Sequence, residues 1–154
     1  MKNDGFTLIE LLVVIVIMGV LSAIAIPSFI SFTVRARHAE ARNYIGSINR
    51  AQQAHFAVKE EFADGLTTLG IGMPVVTRNY TYEVLDSEFV TTVLAQPRRD
   101  NLRGHAGVAG LITILNGLAI DSAVCVSLRI GTDSTEQGSI QNNSALCPDG
   151  FNEI

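Results

Sequence analysis

From Leu11 to Val34 this chain carries no charged residue, and Leu11–Leu21 (LLVVIVIMGVL) is apolar without a break. A stretch of that kind cannot lie on the surface of a water-soluble domain, so its burial or embedding is the first condition on any fold. Phe6 to Ile30 is long enough to span a bilayer, since about 20 helical residues cross the ~30 Å hydrocarbon core. Beyond Arg35 charges return at ordinary density, so the hydrophobic share of the 154-residue chain, 47%, is concentrated at one end. The length fits a single globular domain. The formal net charge of −4 argues against a nucleic-acid partner, which calls for a basic face. Arg98, Arg99 and Arg103, beside Pro97 and Asp100, read as a solvated loop.

An ordinary secretory signal accounts for part of the N-terminal pattern. Lys2 would be its basic start, Leu11–Leu21 its apolar stretch and Ala23-Ile24-Ala25 its cleavage site, releasing a secreted binding domain from Ile26 onward. Glu10 is what that reading leaves unexplained. A carboxylate driven to the bilayer centre costs about 3 kcal/mol on insertion scales, and less near the surface, so an ionisable residue there is a functional residue by default.

Gly5-Phe6-Thr7-Leu8-Ile9-Glu10, followed by the apolar run with Gly19 and Pro27, resembles the class III signal of type IV pilins and type II secretion pseudopilins. The resemblance runs from Met1 to Ile30. It implies that a prepilin peptidase cuts between Gly5 and Phe6, discards the leader (residues 1–5) and methylates the new Phe6 amine. The apolar helix (6–33) is then retained, first in the inner membrane and afterwards in the core of an extracellular homopolymeric filament. Implied partners are the peptidase, an assembly platform with its ATPases, and a secretin. The filament would serve motility, DNA uptake or adhesion. A pseudopilin or minor pilin is the alternative within the same resemblance.

Cutting at Gly5 leaves a positive amine at the start of an apolar helix, where the helix dipole is also positive. A buried charge is tolerated only when paired. Glu10 lies four residues from Phe6, within one turn of its own amine, and is equally suited to a neighbouring subunit's; the resemblance implies the neighbour's. Pro27 removes a backbone hydrogen bond and Gly19 weakens the helix further. The resemblance implies that the segment between them loses helical order in filaments, a plain kink being the alternative. Arg35, Arg37, Arg42 and Arg50 after the span conflict with the positive-inside rule, which large translocated domains escape.

After Pro27, Tyr44, Ile48, Ala51, His55, Val58 and Phe62 recur at steps of four and three, which predicts one helix face, with a stop at Asp64-Gly65. The expected helix, Phe6 to Phe62, is apolar all round in its first half and amphipathic in its second (34–63). A loop (64–78) follows. Asn79–Val84, Phe89–Leu94, Gly110–Leu115 and Ala123–Ile130 read as strands, with turn signals at Asn116-Gly117 and Asp121-Ser122. The fold class is therefore α+β: a long N-terminal helix packed on an antiparallel sheet of about four strands (79–130), the lollipop of the pilins by resemblance, with a head over 34–154. Residues 131–154 are polar and glycine-rich and read as a loop. In an exported chain the two cysteines, Cys125 and Cys147, suggest a bridge that ties this loop down.

His38, His55 and His105 are scattered, and none has a cysteine or acidic neighbour at metal-ligand spacing. His38 and His55 read as helix-surface residues, His55 partly covered by the sheet. Asp133, Glu136 and Asp149 lack EF-hand spacing. No catalytic residue, cofactor or metal is expected, and the chain reads as a structural protein. Arg42 to Phe62 resembles the same stretch of cyanobacterial pilins.

Overall fold

The computed structural model describes residues 6–115, 117–131 and 138–154. A single helix, α1 (Leu8–Lys59), precedes strands β1 (Tyr80–Asp86), β2 (Val90–Pro97), β3 (Arg103–Ile114), β4 (Gly117–Ile130), β5 (Ser139–Gln141), β6 (Ser144–Leu146) and β7 (Phe151–Glu153). The chain divides into two compact units, the first ending at Ala36 and the second running Arg37–Ile154. α1 contributes to both.

In the first unit every residue from Phe6 to Phe32 is exposed, Leu21 by 62% and Phe29 by 69%. The helix is long and apolar enough to cross a membrane. Two of its hydroxyls are satisfied locally, Ser31 Oγ donating to the Ser28 carbonyl and Thr33 Oγ1 to the Ile30 carbonyl, each at 2.8 Å. That suits a helix whose surroundings offer no water.

The second unit is built around an antiparallel five-stranded sheet of order β1-β2-β3-β4-β7. Side chains alternate between its faces with period two, and each face is covered by a different part of the chain. On one face lies α1, whose buried stripe is Ala41, Ile45, Ile48, Asn49 and Gln52. Tyr44 stacks on Tyr82 of β1 at 5.2 Å between ring centroids. Asn49 Nδ2 donates to the carbonyls of Val108 and Ala123 at 3.4 and 3.2 Å. Gln52 closes the helix end: its Nε2 donates to the Ala63 carbonyl and its Oε1 accepts from Ala63 N, both at 2.8 Å. On the other face Leu94, Ala106, Val108, Ala123 and Cys125 form a core with Ala145 and Phe151 of the C-terminal segment.

The predicted stripe is thus displaced. Only Ile48 belongs to the buried set, and Val58 is 78% exposed. The helix also stops before Asp64-Gly65. Glu60 adopts a left-handed φ of 60°, the usual way to end a helix, and Phe62 is buried as a loop residue instead.

The sheet carries one strand more than the four expected. Asp121-Ser122, read as a turn, lies inside β4 because both side chains find partners across the fold. Ala145 N donates to Asp121 Oδ2 at 2.9 Å and Gln53 Nε2 donates to Ser122 Oγ at 3.0 Å. Residues 138–154 are not a loop. They supply the β5–β6 hairpin and β7, and Gly138 N donates to Thr92 Oγ1 at 2.8 Å. Arg103 opens β3 and does not sit in a loop.

Candidate functional site

The first candidate site is the start of α1. Thr7 and Glu10 form a capping box. Thr7 N and Thr7 Oγ1 both donate to Glu10 Oε2, at 2.9 and 2.7 Å, and Glu10 N donates to Thr7 Oγ1 at 3.3 Å. The signal for it, Thr-x-x-Glu ahead of an apolar run, was present in the sequence and went unread. One carboxylate oxygen is thereby held, while Oε1 accepts no hydrogen bond from the described residues and faces an exposed helix start. Phe6 precedes the cap and is 81% exposed. Gly5, the other half of the expected cleavage point, lies outside the described residues. Farther along, Pro27 lies inside α1 and has no N–H to offer the Ala23 carbonyl. A Cβ at Gly19 would meet nothing within 4 Å.

The second feature is the closure of the head. Cys125 on β4 and Cys147 are joined by a disulfide, with Cα atoms 5.9 Å apart and a sequence separation of 22. Cys125 is fully buried in the core that Ala145 and Phe151 complete, so the bridge pins the C-terminal segment to the sheet face it covers. Asp149 lies in the turn before β7, whereas Asp133 and Glu136 fall outside the described residues.

The fold also brings together two residues that the sequence left apart. His38 on α1 and His105 on β3 approach to 3.0 Å between Nδ1 and Nε2. Tyr80 Oη stands 3.2 Å from the same His38 nitrogen and donates to the Arg103 carbonyl at 3.3 Å. His105 is 2% exposed and its Nδ1 has no hydrogen-bond partner. Burial first, then His38 and Arg42, push its pKa down to about 4, with a weak interaction with the Cys125 backbone acting the other way. His38 is lowered as well, by burial and then by Arg103 and Arg42. Burial pushes the Tyr80 hydroxyl up to about 12. His38 is therefore half-buried on the helix and held by partners from the sheet. No sequence spacing announces a pair that depends on which helix face meets which strand. His55, by contrast, is half-buried beside Glu61, Asp64 and Asp86.

Residues 38–148 match the family model described as type IV pilin-like G and H, and residues 1–26 match the prokaryotic N-terminal methylation motif. The chain is 40% identical over 83 residues to the type IV major pilin protein PilA of Myxococcus xanthus (54% of this chain, 37% of that protein). It is 29% identical over 143 residues to the fimbrial protein EcpC of Eikenella corrodens (93% of each chain). It is 40% identical over 68 residues to the type IV narrow pilus major component PilA5 of Thermus thermophilus (44% of this chain, 55% of that protein). The chain thus spans about half or less of the first and third of these relatives and nearly all of the second. With the pilin-like model covering most of its length and the methylation motif covering its start, this chain belongs to the type IV pilin-like family.

Proposed function

We propose that the chain is a structural subunit of a type IV pilus, made as a membrane-held precursor, cut between Gly5 and Phe6, and polymerised through the first half of α1 into an extracellular filament. The observation that carries this reading is an apolar helix surface, exposed on all sides from Phe6 to Phe32, that nothing among the described residues covers. A bilayer covers such a surface before assembly, and like helices cover it afterwards. The relatives named as major pilins and a fimbrial protein support the same reading, as does the methylation motif. The role is mechanical and involves no catalytic residue. Its partners are further copies of itself, the prepilin peptidase, and the platform, ATPases and secretin of pilus assembly. Gly19 and Pro27 give the helix the weak points at which it extends.

Within this scheme Glu10 is the assembly residue. Its free Oε1 receives the methylated Phe6 amine of the neighbouring subunit while Oε2 stays on Thr7. Glu10→Gln keeps the shape and removes the charge. The variant is expected to insert and to be cut normally, because loss of a carboxylate eases insertion. Assembly then brings each amine into an apolar core with no anion to receive it. Breaking a buried pair costs about 3–5 kcal/mol, which at about 1.4 kcal/mol per tenfold is a hundredfold or more against each addition. Cells carrying only Glu10→Gln should accumulate processed subunit in the membrane and show few surface filaments by electron microscopy. Wild-type filament numbers would refute the role.

A further inference from the structure

The second unit contains an open cavity of about 280 Å³ lined by His38, Arg42, Arg103, His105, Val126 and Ile154. Its polar wall is unusual in sign, with two guanidinium groups and two imidazoles gathered from α1 and β3. Neither Arg42 nor Arg103 is hydrogen-bonded or ion-paired to a described residue through its guanidinium. Both are exposed at the cavity mouth, while His105 is almost wholly buried at its back with one ring nitrogen unpartnered. Glu40, which lies between His38 and Arg42 in sequence, accepts from Asn79 Nδ2 at 2.7 Å. Two arginines on the lining of one cavity offer N–H donors of the kind that suit a tetrahedral oxyanion.

We propose that this cavity is a phosphate-binding site, taking either the phosphate of an anionic lipid headgroup or free inorganic phosphate. The lipid source rests on the membrane-held precursor proposed above. His38 follows Val34, the end of the uncharged run, by only four residues. The cavity's residues therefore begin directly after the uncharged run that the proposed precursor holds in the membrane. Arg42 from α1 and Arg103 from β3 act on the imidazoles, Tyr80 Oη of β1 stands 3.2 Å from His38 Nδ1, Glu40 and Arg37 act on that Tyr80, and Ile154 lines the same cavity. In the empty site burial, and then the neighbouring arginines, hold both imidazoles below the ordinary histidine range. A bound phosphate favours protonation of the pair, whose facing nitrogens, 3.0 Å apart, hold one proton between them.

The test uses the full-length chain in neutral detergent micelles, with the His38 and His105 imidazole NMR resonances as the readout. One arm adds inorganic phosphate, and a second dopes the micelles with phosphatidylglycerol or with a phosphate-free neutral glycolipid. Saturable shifts of both imidazoles with phosphate are expected. Arg42→Gln combined with Arg103→Gln should weaken them at least tenfold, whereas Arg50→Gln, exposed elsewhere on the helix, should leave them unchanged. Both mutated arginines are exposed, so the double variant keeps its core. A response to phosphatidylglycerol and not to the glycolipid assigns the lipid source; a response to inorganic phosphate alone assigns the soluble anion. The phosphate arm needs no membrane, so it reads the cavity even if the filament proposal fails. Silence in both phosphate-bearing arms, or shifts that survive the double substitution, would overturn the site.

Discussion

Gly107 shows how little room a helix–sheet contact can leave. It lies on β3 where α1 crosses, and a Cβ there would run into Ile45 Cγ2 and stand 2.6 Å from Asn49 Oδ1. Asn49 cannot retreat without giving up its bonds to the Val108 and Ala123 carbonyls. Gly107→Ala is therefore expected to cost about 1–3 kcal/mol through overpacking, read as a lowered thermal midpoint of the full chain in micelles. His105 governs a pH dependence. Its folded pKa of about 4 lies below the ordinary 6.5, so the folded state binds fewer protons than the unfolded state between those values. Its contribution is fully present above about pH 6.5, declines as pH falls, and is gone below about pH 4. The size is on the order of 3 kcal/mol at about 1.36 kcal/mol per pKa unit. His105→Gln should flatten the slope of stability against pH in that window, whatever it does to stability at pH 7.

Among the elements, the C-terminal segment does the least expected work. The β5–β6 hairpin turns at Asn142 and Asn143, both with positive φ (48° and 64°), as a two-residue type I′ turn requires. The Asn143 amide then acts as a strand partner for Thr113 beyond the end of β2. Thr113 N donates to its Oδ1 at 2.7 Å and its Nδ2 donates to the Thr113 carbonyl at 2.6 Å. Asn143→Gly keeps the turn and loses both bonds, so amide exchange at Thr113 should accelerate. Asn143→Ala should cost more, because alanine resists the left-handed conformation. The disulfide acts on the same element. Replacing Cys125 and Cys147 by serine should cost about 3 kcal/mol in the chain-entropy model. Limited proteolysis should then cut within residues 138–148 while β1–β4 stay protected.

On the scale of the whole molecule, the two units answer to different solvents. The first exposes apolar side chains on every side, and the second buries a core on both faces of a sheet. Processing at Gly5 should yield a mature chain that begins at Phe6 with one methyl group on its amine, as terminal-peptide mass spectrometry reads directly. The cut removes one cation, Lys2, and one anion, Asp4, so the side-chain balance goes from 11 − 15 to 10 − 14 and stays at −4. A mature terminus at Ile26 would mean ordinary signal cleavage and no filament.

The sequence by itself determined the long helix, its apolar first half, the strand-rich region after Tyr80 and the pairing of the two cysteines. Each rests on local chemistry: an unbroken uncharged run, branched and aromatic residues between turn signals, and an even thiol count in an exported chain. The Thr7–Glu10 cap is equally legible, its two ends lying three residues apart, although Glu10 carries a charge that draws the eye first. The tertiary structure decided the rest. The buried helix stripe is set by which face meets the sheet, and Asn49 and Gln52 are buried where sheet and loop groups bond the Asn49 Nδ2 and both ends of the Gln52 amide, which no hydropathy period foretells. Asp121 and Ser122 stay in a strand, and the polar tail becomes a core layer, because their partners come from 24 and 69 residues away. The His38–His105 pair spans 67 residues. Contacts of that range are paid for by loop closure and rewarded only by the assembled fold, so they leave no periodic trace in the chain.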